Sequence, residues 1–377
     1  MPEQPSRPEL LLASPLGREL LTGYIGWGPE SFDTALRDRL GLGPVPGRVP
    51  LSRPGRRPRR WQDVESSLLI DYVGLAVGWR SWREQLADAD EAALLGALSG
   101  VTDSFGFSQG QEDLWGLTAQ VRPQLLPVAQ ALLAAPGARN WWDPARLDGQ
   151  RLVEWDGEPA LLGPALEQAV RDVMRDERAR NELGRAAPRR RERPDARIGA
   201  WWWSTPRFAS QSSTSRPVGS LPALSLCQFF DDSVQAEGAT VWSVEVDPAA
   251  RVLEITEPAD WQQLVAGFPR DVTGTHDGDW RYWSGTAGPW LLPDWEQVME
   301  HADAVHVTTG AVACAGGVAL PVDGAYTMLH AWVPDSTLWL RDMTVSRRRL
   351  GRWEGGPQYG SWDGPPPEWH PESTSAG

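Results

Sequence analysis

Residues 198–208, IGAWWWSTPRF, place three consecutive tryptophans ahead of a Ser-Thr-Pro turn, in a chain that holds 22 tryptophans. Indole offers a flat face for stacking. In a strand, Trp201 and Trp203 point to one side and Trp202 to the other. One side must be core; the other requires a second layer, a partner or a flat ligand, because large exposed aromatic patches are unusual on a soluble monomer. All 36 basic residues are arginine. Each guanidinium is a planar fork that can grip a carboxylate or a phosphate with two bonds, and no lysine is present to act as a nucleophile or form a Schiff base.

Other chemistry is thinner. HDGDW, residues 276–280, puts one histidine and two carboxylates within a short span, and its Asp and Gly content predicts a solvated turn, with no metal site. His301 and His306 are too far apart to share a helix face, and the alternation in DAVHVTTG predicts His306 as a satisfied histidine at the edge of the core. GAVACAGGVALPVDG has neither dinucleotide-loop spacing nor the lysine of a P-loop, and no GxSxG elbow occurs. Cys227 lies in the apolar stretch LPALSLCQFF, which disfavours a reactive thiolate.

The elements that must position these groups divide the chain. Residues 1–29 read as an N-terminal extension. From 30 to 185 the apolar residues recur at three and four, as in WQDVESSLLIDYVGLAVGWRSWREQL, VRPQLLPVAQALLAA and GPALEQAVRDVMRDERARNEL, predicting a helical domain with Leu69, Val73 and Trp79 facing its core. Residues 186–196 read as an Arg/Pro linker. From 197 to 345 the rhythm shortens to β-branched and aromatic runs such as TVWSVEV, RVLEIT, AVHVTTG, YTMLHAWV and TLWLRDM, with PADWQQLVAGF and PDWEQVMEHA as short helices between them. Residues 346–377, rich in Gly, Pro and Ser, predict a disordered tail that could dock a tryptophan. The expected class is α+β: a helical N-terminal domain followed by a mainly antiparallel sheet.

Over residues 197–342 the order of elements is similar to that of the ADP-ribosyltransferase-like fold of small bacterial toxin and modification domains. The resemblance is carried by WWWSTP, then VWSVEVDPAARVLEIT, then ADAVHVTTG, then TMLHAWVPDSTLWLRD. It implies NAD⁺ as substrate. Carried over, Arg197 or Arg207 would hold the pyrophosphate, Ser204 and Thr205 match the Ser-Thr positions, and Trp202 or Trp203 would stack on nicotinamide. Ser213-Thr214-Ser215 is a second candidate for the Ser-Thr-Ser element. The carboxylate that stabilises the oxocarbenium-like state would be Glu245 or Glu254.

A formal charge of −14 argues against general nucleic-acid binding despite RPGRRPRRW and RRRER, and no apolar run is long enough to span a membrane. Two cysteines, and an N-terminus without the charged-then-apolar pattern of a signal peptide, predict a cytoplasmic protein. The arginine, alanine, glycine and proline bias matches a GC-rich, actinobacteria-like genome. Besides the enzyme reading stands a second: a non-catalytic immunity or accessory protein whose tryptophans anchor a partner. In the enzyme reading the helical half recognises a partner or gates the site.

Overall fold

The computed structural model describes residues 5–26, 77–78, 81–107, 122–186, 203–227, 238–354 and 369–372. They form two compact units, the first ending at Arg139 and the second beginning at Asn140. The class is α+β, with helices first and a mainly antiparallel sheet after.

The first unit contains α1 (Arg7–Ala13), α2 (Pro15–Gly26), α3 (Ser81–Ala87), α4 (Glu91–Phe107) and α5 (Arg122–Ala134). Helix α1 starts in a capping box: the Glu9 carboxylate accepts the Ser6 backbone N–H and hydroxyl, both at 2.7 Å. Leu11, Leu20, Leu21, Leu86, Leu94 and Leu125 from the five helices are sealed from solvent. Arg18 of α2 reaches back to donate to the Leu12 and Ala13 carbonyls at the end of α1, each at 2.8 Å, satisfying acceptors that the helix leaves open. The helices of the expected N-terminal extension are thus part of this core. Leu69, Val73 and Trp79 lie outside the described residues.

The second unit is built on an eight-stranded sheet. In chain order its strands are β1 (Gln150–Trp155), β2 (Ser213–Ser215), β3 (Gly238–Val246), β4 (Val252–Ile255), β7 (Ala304–Val307), β10 (Ser336–Trp339), β11 (Thr344–Glu354) and β12 (His370–Pro371). Their spatial order is β12-β11-β3-β1-β2-β10-β7-β4, and only β4 and β7 run parallel. Two hairpins, β5 (Pro269–Asp271) with β6 (Leu291–Pro293) and β8 (Leu320–Val322) with β9 (Ala325–Thr327), stand apart from it. The helices are α6 (Pro164–Ala186), α7 (Ala209–Ser212), α8 (Pro258–Gly267), α9 (Thr273–Ser284), α10 (Trp295–His301) and α11 (Thr309–Ala315).

Several features differ from the sequence pattern. QRLVEW lies within the run expected to be helical, yet it forms β1 near the middle of the sheet, hydrogen-bonded to β2 and β3. Helix α6 belongs with the sheet unit: Gly184 and Gly274 let α6 and α9 approach so closely that a Cβ on either would strike the other's backbone. The HDGDW stretch is helical, inside α9. Burial of His276 and Trp280, packed 4.5 Å apart, outweighs the weak helix preference of its Gly and Asp residues. Residues 346–354, expected in the tail, continue β11 along β3, and Trp369 is buried against Trp155 with its Nε1 donating to the Leu226 carbonyl at 2.6 Å.

Most indoles whose environment is described are core. Trp261, Trp280, Trp290 and Trp295 are fully buried, and Trp332 joins them with edge and tilted ring contacts 5.7–6.0 Å from Trp261 and Trp295. Two of their polar edges are served inside: Trp261 Nε1 donates to Thr327 and Trp290 Nε1 to Asp277, both at 3.1 Å. Among the described residues no helix is long and apolar enough to cross a membrane.

Candidate functional site

Strand pleating sets two faces on the sheet. Val305, Val307, Ile255 and Leu338 share one, and their burial explains the hydrophobic alternation of β4, β7 and β10. The other face carries an unusual row. Glu254 on β4 lies opposite His306 on β7, His306 opposite Thr337 on β10, and Thr337 opposite Thr214 on β2. His306, Thr337 and Thr214 are buried, so each polar group there needs a partner.

The partners form a chain. His306 Nδ1 is 2.6 Å from Glu254 Oε2, and His306 Nε2 is 3.1 Å from Asp335 Oδ1. Asp335 Oδ2 accepts from Arg216 Nε. Glu254 Oε1 accepts the backbone N–H of Ala145 at 3.0 Å. Asp335 sits at φ +53°, a left-handed conformation open to Asp more readily than to most residues, at the entry to β10. On β2, Thr214 donates to the Gln150 side chain and accepts from Trp339 Nε1 at 2.8 Å, while Gln150 donates to the Arg146 carbonyl at 2.5 Å. Residues 145–150 are thereby fastened over the row.

An imidazole with a carboxylate at each nitrogen must donate from both, and is then the cation. Burial pulls the His306 pKa down, but the bonds and charges of Asp335 and Glu254 win, leaving it at about 9. Burial likewise raises the Asp335 carboxyl, and the His306 bond together with Arg216 outweighs it, so Asp335 is held below its ordinary value. Arg216, Asp335, His306 and Glu254 alternate in sign, and Glu254 is the member that opens to solvent, its side chain 30% exposed. The arrangement fixes the Glu254 carboxylate in direction beside a cationic imidazole; with both nitrogens bonded, His306 is a poor proton shuttle.

The other sequence candidates are dispersed. Glu245 is on β3, exposed, accepting from the Ser346 hydroxyl at 2.8 Å. Four strands separate β3 from β4, about 24 Å at the usual spacing, so Glu245 and Glu254 cannot serve one reacting centre. Ser204 is buried: its hydroxyl donates to the His330 carbonyl at 2.9 Å and accepts from the His330 N–H and Trp332 Nε1 at 2.8 and 2.9 Å. Thr205 donates to the Ala331 carbonyl at 3.2 Å. Both hydroxyls fasten chain to chain. Trp203 is half-buried, its carbonyl 3.3 Å from His276 Nε2; Arg207 is exposed, in electrostatic range of the buried Glu177–Arg270 pair. Arg197 and Trp202 lie outside the described residues. Of the Ser213-Thr214-Ser215 alternative, Thr214 belongs to the row above, whereas Ser215 faces the opposite way and bonds Ser225 at 2.7 Å.

Asp335 and Arg216 escaped the sequence reading. Both sit just beyond short strands, and only the β2–β10 pairing brings them together. Among the described residues no group of His, Cys, Asp and Glu is placed to hold a metal ion. No family model, curated protein or solved structure matches the chain, so the cluster is to be understood from its own geometry.

Proposed function

We propose that the second unit acts in the cytoplasm as an NAD⁺-consuming, ADP-ribosyltransferase-like enzyme whose working group is the Glu254 carboxylate. The observation that carries this is the chain Arg216–Asp335–His306–Glu254, which ends in one directed and partly exposed oxygen pair. Departure of nicotinamide leaves positive charge on the ribose ring, and a carboxylate already oriented stabilises that charge without reorganising. The remaining three charges cost less to keep buried because they neutralise one another in sequence. In this reading the helical unit recognises a protein acceptor.

The test is nicotinamide release from NAD⁺ by the full chain. Glu254→Gln should lower the rate by about 10²–10³-fold, the scale of a lost transition-state contact, with Glu245→Gln near wild type. Absence of release by the wild-type protein with protein, nucleotide and water acceptors alike would overturn the enzyme reading.

One observation favours the second reading, a non-catalytic protein that binds another. Both Glu254 oxygens and both His306 nitrogens are already bonded within the chain, as in a cluster that only completes the fold. In that case Glu254→Gln lowers the unfolding midpoint, and no NAD⁺ turnover exists for it to alter.

A further inference from the structure

Apart from Glu254, on the opposite face of the sheet, three residues lie in one cross-strand row: Arg151 on β1, Ser243 on β3 and Arg348 on β11. Arg151 is half-buried and anchored, its Nη1 donating to the carbonyls of Gly149 and Gln150 at 2.9 and 3.0 Å and to the Ser243 hydroxyl at 3.2 Å. Arg348 is exposed, and its charge adds to burial in holding the Arg151 pKa below its ordinary value.

Arg151 and Arg348 flank Ser243 from the two strands on either side of β3, so two like charges converge on one hydroxyl. Three nearby arginines have acids: Arg352 pairs with Asp156, Arg216 with Asp335, and Arg347 approaches Glu154 at 3.9 Å while lying over the Trp242 ring; Arg349, on the other face, has none among the described residues. Among the described residues no carboxylate is within ion-pair distance of Arg151 or Arg348. The nearest on that face of β3, Glu245, bonds Ser346. Arginine on an outer strand can also serve to discourage edge pairing, but Arg151 is in the fourth strand, where there is no edge to protect.

We propose that Arg151, Arg348 and the Ser243 hydroxyl form a binding site for a phosphate-class dianion, the phosphate or pyrophosphate group of a small ligand. Two guanidinium forks and a hydroxyl match a doubly charged tetrahedral group in both charge and donor number, and Arg151 is already held in place by its carbonyl contacts. Arg151 is half-buried on β1, between β2 and β3, whereas Arg348 is exposed.

Titrating the full chain with inorganic pyrophosphate by calorimetry at low salt tests this. Saturable binding at one site per chain is expected. It should weaken at least about tenfold in Arg348→Gln and in Arg151→Gln. It should be unchanged in Arg349→Gln, whose arginine lies on the other face. Arg348 is exposed, so its variant stays informative even if Arg151→Gln folds poorly. No saturable binding, equal weakening by Arg349→Gln, or equally tight binding of a monoanion such as chloride would overturn the proposal.

Discussion

His306 and Asp335 meet because Asp335 adopts a left-handed backbone at the entry to β10, which aims its Oδ1 at His306 Nε2, 3.1 Å away. The cluster depends on that carboxylate, since it separates two cations, the buried His306 and the half-buried Arg216. Asp335→Asn keeps a side chain that tolerates the same backbone conformation but removes the charge. A loss of about 3–5 kcal/mol in urea unfolding of the second unit is expected, the cost of breaking a buried pair from one side. A change below about 1 kcal/mol would mean that the cluster is already open to water.

The same cluster sets an alkaline limit. The His306 pKa is about 9 in the folded chain against 6.5 unfolded, so the folded state binds the proton more tightly. Its contribution is fully present below pH 6.5 and disappears as pH rises through about 9. Urea midpoints should therefore fall between those values. His306→Gln should be less stable at pH 6 and show a flatter alkaline slope; an unchanged slope would assign the loss to another group.

Two other histidines work in the opposite direction. Burial, assisted for His276 by Arg270, pushes His276 down to about 3, and burial alone takes His330 to about 4, both from 6.5. The folded state therefore refuses protons that the unfolded chain accepts. Stability from these groups is present above pH 6.5 and declines as pH falls toward the folded values. Thermal midpoints should drop on acidification from pH 6.5 to 4.5, and His276→Gln should reduce that drop. A midpoint that stays level through this range would show that both rings protonate in place.

Ser204 separates a structural role from a ligand role. Its hydroxyl is the acceptor for two buried donors, the His330 N–H and Trp332 Nε1, so Ser204→Ala leaves both unsatisfied. A loss of about 2–4 kcal/mol is expected, with Thr205→Ala costing about 1 kcal/mol for its single bond. Wild-type stability in Ser204→Ala, together with weaker NAD⁺ binding, would restore Ser204 to the cofactor-binding role implied by the family resemblance.

The class was legible, as were β3, β4, β7 and β10, because runs of β-branched and aromatic residues such as TVWSVEV, RVLEIT, AVHVTTG and TLWLRDM are what a packed sheet requires. Strand β11 was not, since SRRRLGRWE is mostly exposed and is held by its backbone ladder to β3. Strand β1 was hidden by helical neighbours on both sides, and six residues are too few to overturn that context. Glu254 could be nominated from sequence, whereas its environment could not. His306 is 52 positions away and Ala145 is 109, and nothing local encodes a parallel β4–β7 pairing. The same non-locality kept Asp335 and Arg216 out of view, 119 positions apart.

The segment that delivers Ala145 to Glu254 is itself held by a close contact. Gly310 in α11 donates its N–H to the Trp141 carbonyl at 2.7 Å, and the place where a Cβ would stand is occupied by the Trp142 indole. Helix α11 is buried along its whole length and cannot retreat, so Gly310→Ala must displace Trp142. A destabilisation of about 1–3 kcal/mol is expected, as for other overpacked cores. Displacing Trp142 also drags on Ala145, three residues later, so turnover through Glu254 should fall further than stability alone requires. Combining Gly310→Ala with Trp142→Leu frees the crowded volume, and the pair should be more stable than the sum of the single changes predicts. Strict additivity in that double-mutant cycle would place the strain elsewhere in the helix, and would detach the Trp142 contact from the positioning of Glu254.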